Sequence, residues 1–321
     1  MSSSPIKEWI DGPCTYQDVQ LRSGSWILLL GDIHGERSQP CPGPTVSLAA
    51  FLDKVLRENP ERDFNLLLET PKPTYNFPLQ RHRREGLIQK VYDYFSECFR
   101  SRRSCPYPNL YCSPMDVRVK GLNRDITRIE KAYAFCTSFE NTMWLPGWTT
   151  TQRDRFLKIV QGITITFPKL WKTLKLDKIL EDSHYRENII YNHFKDLFSE
   201  LLPTPQEIKQ YEAMISKLDP NNPISNIVII TSRKFQSMKA HFLQLNTRIV
   251  DMYIIGHILA SMSHETTIVL AGVDHIRYIE KFLVDWNKPP LRTLGSPTIE
   301  NDKPSHPAFR CIPVARFHRV Y

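Results

Sequence analysis

No run of about 18 apolar residues occurs in the chain, so nothing in it reads as a membrane-spanning helix. The opening Met1-Ser2-Ser3-Ser4-Pro5 has no basic flank leading into an apolar stretch and does not read as a signal peptide. No Cys-x-x-Cys pair occurs among Cys14, Cys41, Cys98, Cys105, Cys112, Cys136 and Cys311, and their number is odd. Neither a disulfide framework nor a zinc knuckle is therefore expected, and an intracellular, cytoplasmic setting is. There is no internal repeat, no low-complexity tract and no recognised nucleic-acid-binding motif.

Hydrophobic residues make up 41% and charged residues 24% of the 321, the balance of a globular chain long enough to bury a core without covalent staples. The formal charge is +8, with an isoelectric point near 9.1. Two basic clusters stand out, Arg81-His82-Arg83-Arg84 and Arg100-Ser101-Arg102-Arg103. They suit a polyanion or a protein partner. They equally suit a solvated surface, because Glu85 and Glu97 lie among them.

Short apolar runs rich in bulky or β-branched residues read as buried strands. They are Ser25 to Leu30, Phe64 to Leu68, Asn109 to Cys112, Asn226 to Thr231, Thr267 to Ala271 and Ala308 to Val314. Most lack alternation, as expected of strands covered on both faces. Helical spacing recurs between them, over Thr45 to Glu58, Arg84 to Phe99, Phe242 to Ser261 and Ile276 to Trp286. The expected class is α/β, a mostly parallel sheet flanked by helices. Residues 121–222 read as helices throughout (126–139, 151–163, 168–198 and 205–218), a helical insertion or lid between the third and fourth core strands of a single 1–321 domain. Residues 287–321 form a proline-rich extension.

Ligands of α/β sheets bind beyond the carboxyl ends of the strands. The polar residues expected there are Asp32 and His34, then Glu69, then Asp116 and Arg118, then Thr231-Ser232-Arg233, then Asp274 and His275. His34, Glu69 and His275 would thus share one edge. Two imidazoles and a carboxylate can hold a divalent metal with a position left for water. They can also act as acid, base and orienting partner without one. Each has a plainer reading: Gly31 and Gly35 can serve simply to allow a tight turn, and a lone Glu or His after a strand is often a cap or a satisfied structural residue. On the helix before the fifth strand, Arg248 and Asp251 are three apart and share a face. That pair is a surface salt bridge or, with Arg248 near the strand ends, a contact for an oxyanion or carboxylate.

Gly31-Asp32-Ile33-His34-Gly35 after an apolar strand resembles the opening motif of calcineurin-like metallophosphoesterases, in which this Asp and His bind a dinuclear metal centre. The Gly-Asp-x-x-Asp and Gly-Asn-His blocks of that family are missing; Asn192-His193 is preceded by Tyr191. A longer stretch, residues 25–285, resembles the superfamily of erythromycin esterases, ChaN-like and TraB/Tiki-type proteins. Gly31 to His34 matches its first Gly-x-x-His element, Glu69 its acid, Arg248 with Asp251-Met252 its Arg helix, and Gly272-Val273-Asp274-His275 its second Gly-x-x-His element. Tyr253 replaces a small residue after the Met, and Asp32 a more usual Glu or Thr-like residue.

This resemblance implies a hydrolase of esterase or peptidase type acting on a small-molecule or peptide substrate. His34 and His275 would be ligands or acid–base groups, Glu69 the base that activates water, and Arg248 the group that stabilises negative charge. Asp32, Asp251, Asp274, Asp116 and Arg118 would support them. A divalent metal, if bound, would sit on His34, Glu69 and His275. Two further readings remain: a non-catalytic component of a larger assembly on an inherited hydrolase fold, and a metallophosphoesterase.

Overall fold

Residues 9–21, 23–32, 41, 43–71, 86–118, 124–142, 149–219, 221–286 and 311–314 are described in a computed structural model. The strands, in chain order, are β1 (Trp9–Asp11), β2 (Thr15–Gln20), β3 (Trp26–Asp32), β4 (Thr45–Ser47), β5 (Phe64–Pro71), β6 (Leu110–Asp116), β7 (Thr266–Gly272) and β8 (Cys311–Pro313). The helices are α1 (Leu48–Glu58), α2 (Leu87–Tyr94), α3 (Ser96–Arg100), α4 (Arg124–Thr142), α5 (Thr150–Gln161), α6 (Phe167–Thr173) and α7 (Leu176–Ile179). They continue with α8 (His184–Leu201), α9 (Pro205–Ile215), α10 (Pro223–Thr231), α11 (Arg233–Ala260) and α12 (Val273–Trp286). The chain divides into two compact units, residues 1–116 with 257–321, and residues 117–256.

The first unit is built on a five-stranded sheet of order β2-β3-β7-β5-β6. β3, β7, β5 and β6 run parallel, and β2 lies antiparallel along the β3 edge. This is the expected α/β class, with eight helices among the described residues between β6 and β7. The apolar runs are buried on both faces because helices cover both, as the lack of alternation requires. Leu28, Leu30, Leu66, Leu68, Ile268 and Leu270 share one core with α1 and α2. Their neighbours Ile27, Leu29, Leu67 and Val269 are buried too, and α12 packs on β3, β2 and β7. A small second sheet, β4-β1-β8, joins the amino-terminal strand to the one described carboxyl-terminal segment. The expected strand over Ala308 to Val314 is described only at its β8 part; residues 287–310 and 315–321, which hold most of the proline-rich extension, lie outside the described residues.

Several local expectations change. The helix expected from Thr45 starts at Leu48, because Thr45–Ser47 pairs with β1 and the Ser47 hydroxyl accepts from the Ala50 amide at 3.2 Å as an N-cap. Asn226 to Thr231 is not a strand but most of α10. Its β-branched run imitates a strand, yet Pro223 sits in the first turn and Asn222 caps the helix, accepting from the Ser225 amide at 3.1 Å. Asn226 is buried and pairs with Asp219 through both amide atoms. The long helix expected from Phe242 begins at Arg233. Two strands, β1 and β2, arise where none was expected. The cysteine expectation also fails, because Cys98 and Cys105 are joined by a disulfide.

Gly31 is not a turn residue. It is paired with Thr15 within the sheet, and a Cβ there would lie 2.1 Å from Thr15 Oγ1 and 3.3 Å from Val273 Cα. Glycine is needed so that β2 and α12 can both approach β3. Gly31→Ala should cost about 1–3 kcal/mol through overpacking. Thr15→Ala in the same chain should return much of it, since no partner for the buried Thr15 hydroxyl appears among the described residues. Urea unfolding of the two single variants and the double variant checks this; additive losses would refute a steric coupling.

Burial holds the His257 imidazole down, to about 4, against an ordinary 6.5. The unfolded chain therefore binds the proton more readily, and stability contributed by neutral His257 is complete above pH 6.5 and lost as pH falls toward 4. Between pH 7.5 and 5 this amounts to about 2 kcal/mol. Urea unfolding at the two pH values should show that His257→Gln is less acid-sensitive by about that amount.

Candidate functional site

The carboxyl edge of the parallel strands brings sequence-distant residues into one register. Asp32, the last residue of β3, is aligned with Gly272, the last of β7. Leu68 of β5 is aligned with Leu270, so Glu69, the next residue of β5, lies beside the end of β7. Pro71 is aligned with Asp116 at the end of β6. A strand-to-helix junction follows Gly272 directly, which places His275 in the first turn of α12.

Glu69 and His275 meet there. His275 Nε2 lies 3.2 Å from Glu69 Oε1, with side-chain exposures of 8% and 6%. The Gly272 amide donates to Glu69 Oε2 at 2.7 Å. One carboxylate thus accepts from the end of β7 with one oxygen and faces an imidazole with the other. A buried carboxylate and imidazole favour each other's charged forms, and the backbone bond fixes the carboxylate's rotation. Such a pair can orient an imidazole and stabilise it when it takes up a proton.

The other expected residues fall as follows. Asp32 is buried at the edge, two strand positions from Glu69 across β7. Asp274 is exposed in the first turn of α12, where a carboxylate complements the helix amides. Asp116 ends β6 in the first unit, whereas Arg118 belongs to the second. Arg248 and Asp251 also belong to the second unit; they form an ion pair on α11, with Asp251 fully buried. His34 and the cluster Arg81 to Arg84 lie outside the described residues. The segment Thr231-Ser232-Arg233 is no longer a strand end, since α10 replaces the strand. The sequence reading missed the Gly272 amide as a partner of Glu69. The Gly-x-x-His pattern was its only signal, because a backbone donor has no residue type.

Among the described residues no group of three His, Cys, Asp or Glu side chains is placed to hold a metal. Glu69 and His275 are of residue types that zinc accepts, but the described residues bring together two such donors and not the three that a catalytic zinc takes. No described helix is long and apolar enough to cross a membrane. No family model, curated protein or solved structure matches the chain.

Proposed function

We propose that the chain is a hydrolase of esterase or peptidase type, with His275 as the acid–base group and Glu69 as the carboxylate that orients it. The observation that carries this reading is the 3.2 Å approach of Glu69 to His275 at the carboxyl edge, with Glu69 held from behind by the Gly272 amide. It changes the expected division of labour. Both Glu69 oxygens are engaged, which suits an orienting carboxylate better than a base attacking water directly. The imidazole takes a proton from water as it adds to a carbonyl, and returns it to the leaving group. The resemblance to erythromycin esterase and TraB/Tiki-type proteins supports the same two residues. The reading rests on Glu69 and His275 alone; Arg248 is engaged by Asp251 in the second unit. A divalent metal on Glu69, His275 and His34 would add Lewis-acid activation of water, and no step here depends on it.

Burial favours a second reading. A carboxylate–imidazole pair with exposures of 6% and 8% can serve simply as a tie between β5 and α12, in a binding protein on the same fold. A panel of p-nitrophenyl esters, peptide anilides and bis-p-nitrophenyl phosphate, run with and without chelator alongside metal analysis, separates the readings. Ester or anilide cleavage is expected. Cleavage of the phosphodiester alone would make the chain a phosphoesterase, and a folded protein inert on the whole panel would favour the tie.

A further inference from the structure

The cysteines are sorted by position. Cys98 on α3, 7% exposed, is bonded to the half-buried Cys105, which follows a 3-10 turn at Arg102–Ser104. Cys41 is disulfide-bonded as well. Among the described residues, Cys14, Cys112 and Cys136 are not disulfide-bonded. Cys14 and Cys136 are buried behind protein atoms. Burial pushes the Cys112 thiol up to about 12, outweighing the opposing pull of the Arg102 guanidinium. The thiolate is the reactive form, and the half-buried Cys112 presents little of it at neutral pH.

The fold brings Cys98 and Cys105 together by contacts that do not involve sulfur. The Ser104 hydroxyl donates to the Glu97 carbonyl at 3.0 Å, and the Cys105 amide to the Arg102 carbonyl at 3.3 Å. Arg102 donates to the Pro108 carbonyl at 2.6 Å and the Leu110 carbonyl at 3.1 Å, and lies 3.4 Å over the Tyr111 ring centre. Downstream, the Asn109 amide is tied to the carbonyls of Leu56 and Asn59, at the end of α1. The turn is therefore preorganised for pairing, and the bridge locks a short loop against the start of β6.

We infer that the chain is built to fold in an oxidising compartment, with Cys98–Cys105 as a permanent structural bridge. This departs from the cytoplasmic setting that cysteine spacing suggested. In an oxidising milieu an accessible thiol outside a bridge would cross-link, whereas Cys14 and Cys136 are buried and Cys112 is half-buried. Forming the bridge oxidises two thiols, and an external disulfide of a small molecule or a protein is reduced. One sulfur–sulfur bond forms as the oxidant's breaks, and the two protons leave on the released thiols.

The test refolds the reduced full-length chain in a glutathione buffer at the thiol–disulfide ratio of a secretory compartment. Free thiols are then alkylated, before or after denaturation, and mapped by peptide mass. The expected result is a linked Cys98–Cys105 peptide, with Cys14, Cys112 and Cys136 alkylated only after denaturation. A reductant should lower the unfolding midpoint by several degrees. The double variant Cys98→Ser/Cys105→Ser should lose most of that reductant-dependent shift, which separates this bridge from the one at Cys41. Free Cys98 and Cys105 after refolding, rapid native alkylation of the other three, or a midpoint indifferent to reductant would each overturn the inference.

Discussion

Glu69→Gln should leave the first unit folded and lower kcat/KM about 10²- to 10⁴-fold on any ester or amide the wild type cleaves, the usual worth of an acid–base group. The amide oxygen of Gln can still accept from the Gly272 amide, now at 2.7 Å from the carboxylate. The loss therefore falls on the charge facing His275, and the unfolding free energy should move by only about 1 kcal/mol. His275→Gln should show a similar loss. The double variant should be little worse than either single one, because residues that act as a unit are not additive. If both singles keep full turnover while losing stability, the Glu69–His275 contact is only a tie between β5 and α12. Rates and urea unfolding, measured on the same preparations, keep the two outcomes apart.

Arg248→Met should strongly destabilise the second unit. Asp251 has no exposed side-chain surface and Arg248 retains 27% exposure. Removing the guanidinium withdraws the cation from a buried carboxylate, at a cost of about 2–4 kcal/mol after allowance for the partly exposed arginine. Arg248→Met combined with Asp251→Leu should recover much of that loss, since an apolar pair of similar volume often replaces a buried ion pair without penalty. Urea unfolding of the two variants is the measurement. A single variant as stable as wild type would show that other groups satisfy Asp251. Full Glu69-dependent hydrolysis in a folded Arg248→Met chain would confirm that the ion pair is structural and that turnover does not need it.

How much of this was legible depends on which residues carry the signal. The core strands β3, β5 and β7 were plain, because central strands covered on both faces must be apolar without a period. Glu69 and His275 were plain as residue types at the ends of such runs. The apolar run in α10 was read as a strand because β-branched residues suit both a buried strand and a buried helix turn. The Asn222-Pro223 cap, which decides between them, lies just before the run. β2 is hidden in the sequence because Gln17 and Asp18 interrupt its apolar pattern, and β1 because its three residues, Trp9–Asp11, are too few to show a period.

The sequence by itself determined that the chain is α/β, which strand ends carry an acid or an imidazole, and that Arg248 and Asp251 share a helix face. These depend on patterns a few residues long, which local geometry enforces. Only the tertiary structure decided that Glu69 and His275 touch, 206 positions apart, because β7 is inserted between β3 and β5 and no local pattern encodes strand order. It also decided that Gly31 makes room for Thr15 and Val273, and that Cys98 and Cys105 are bonded. Each is a meeting of backbone segments, set by how the elements pack rather than by the residues nearest in the chain.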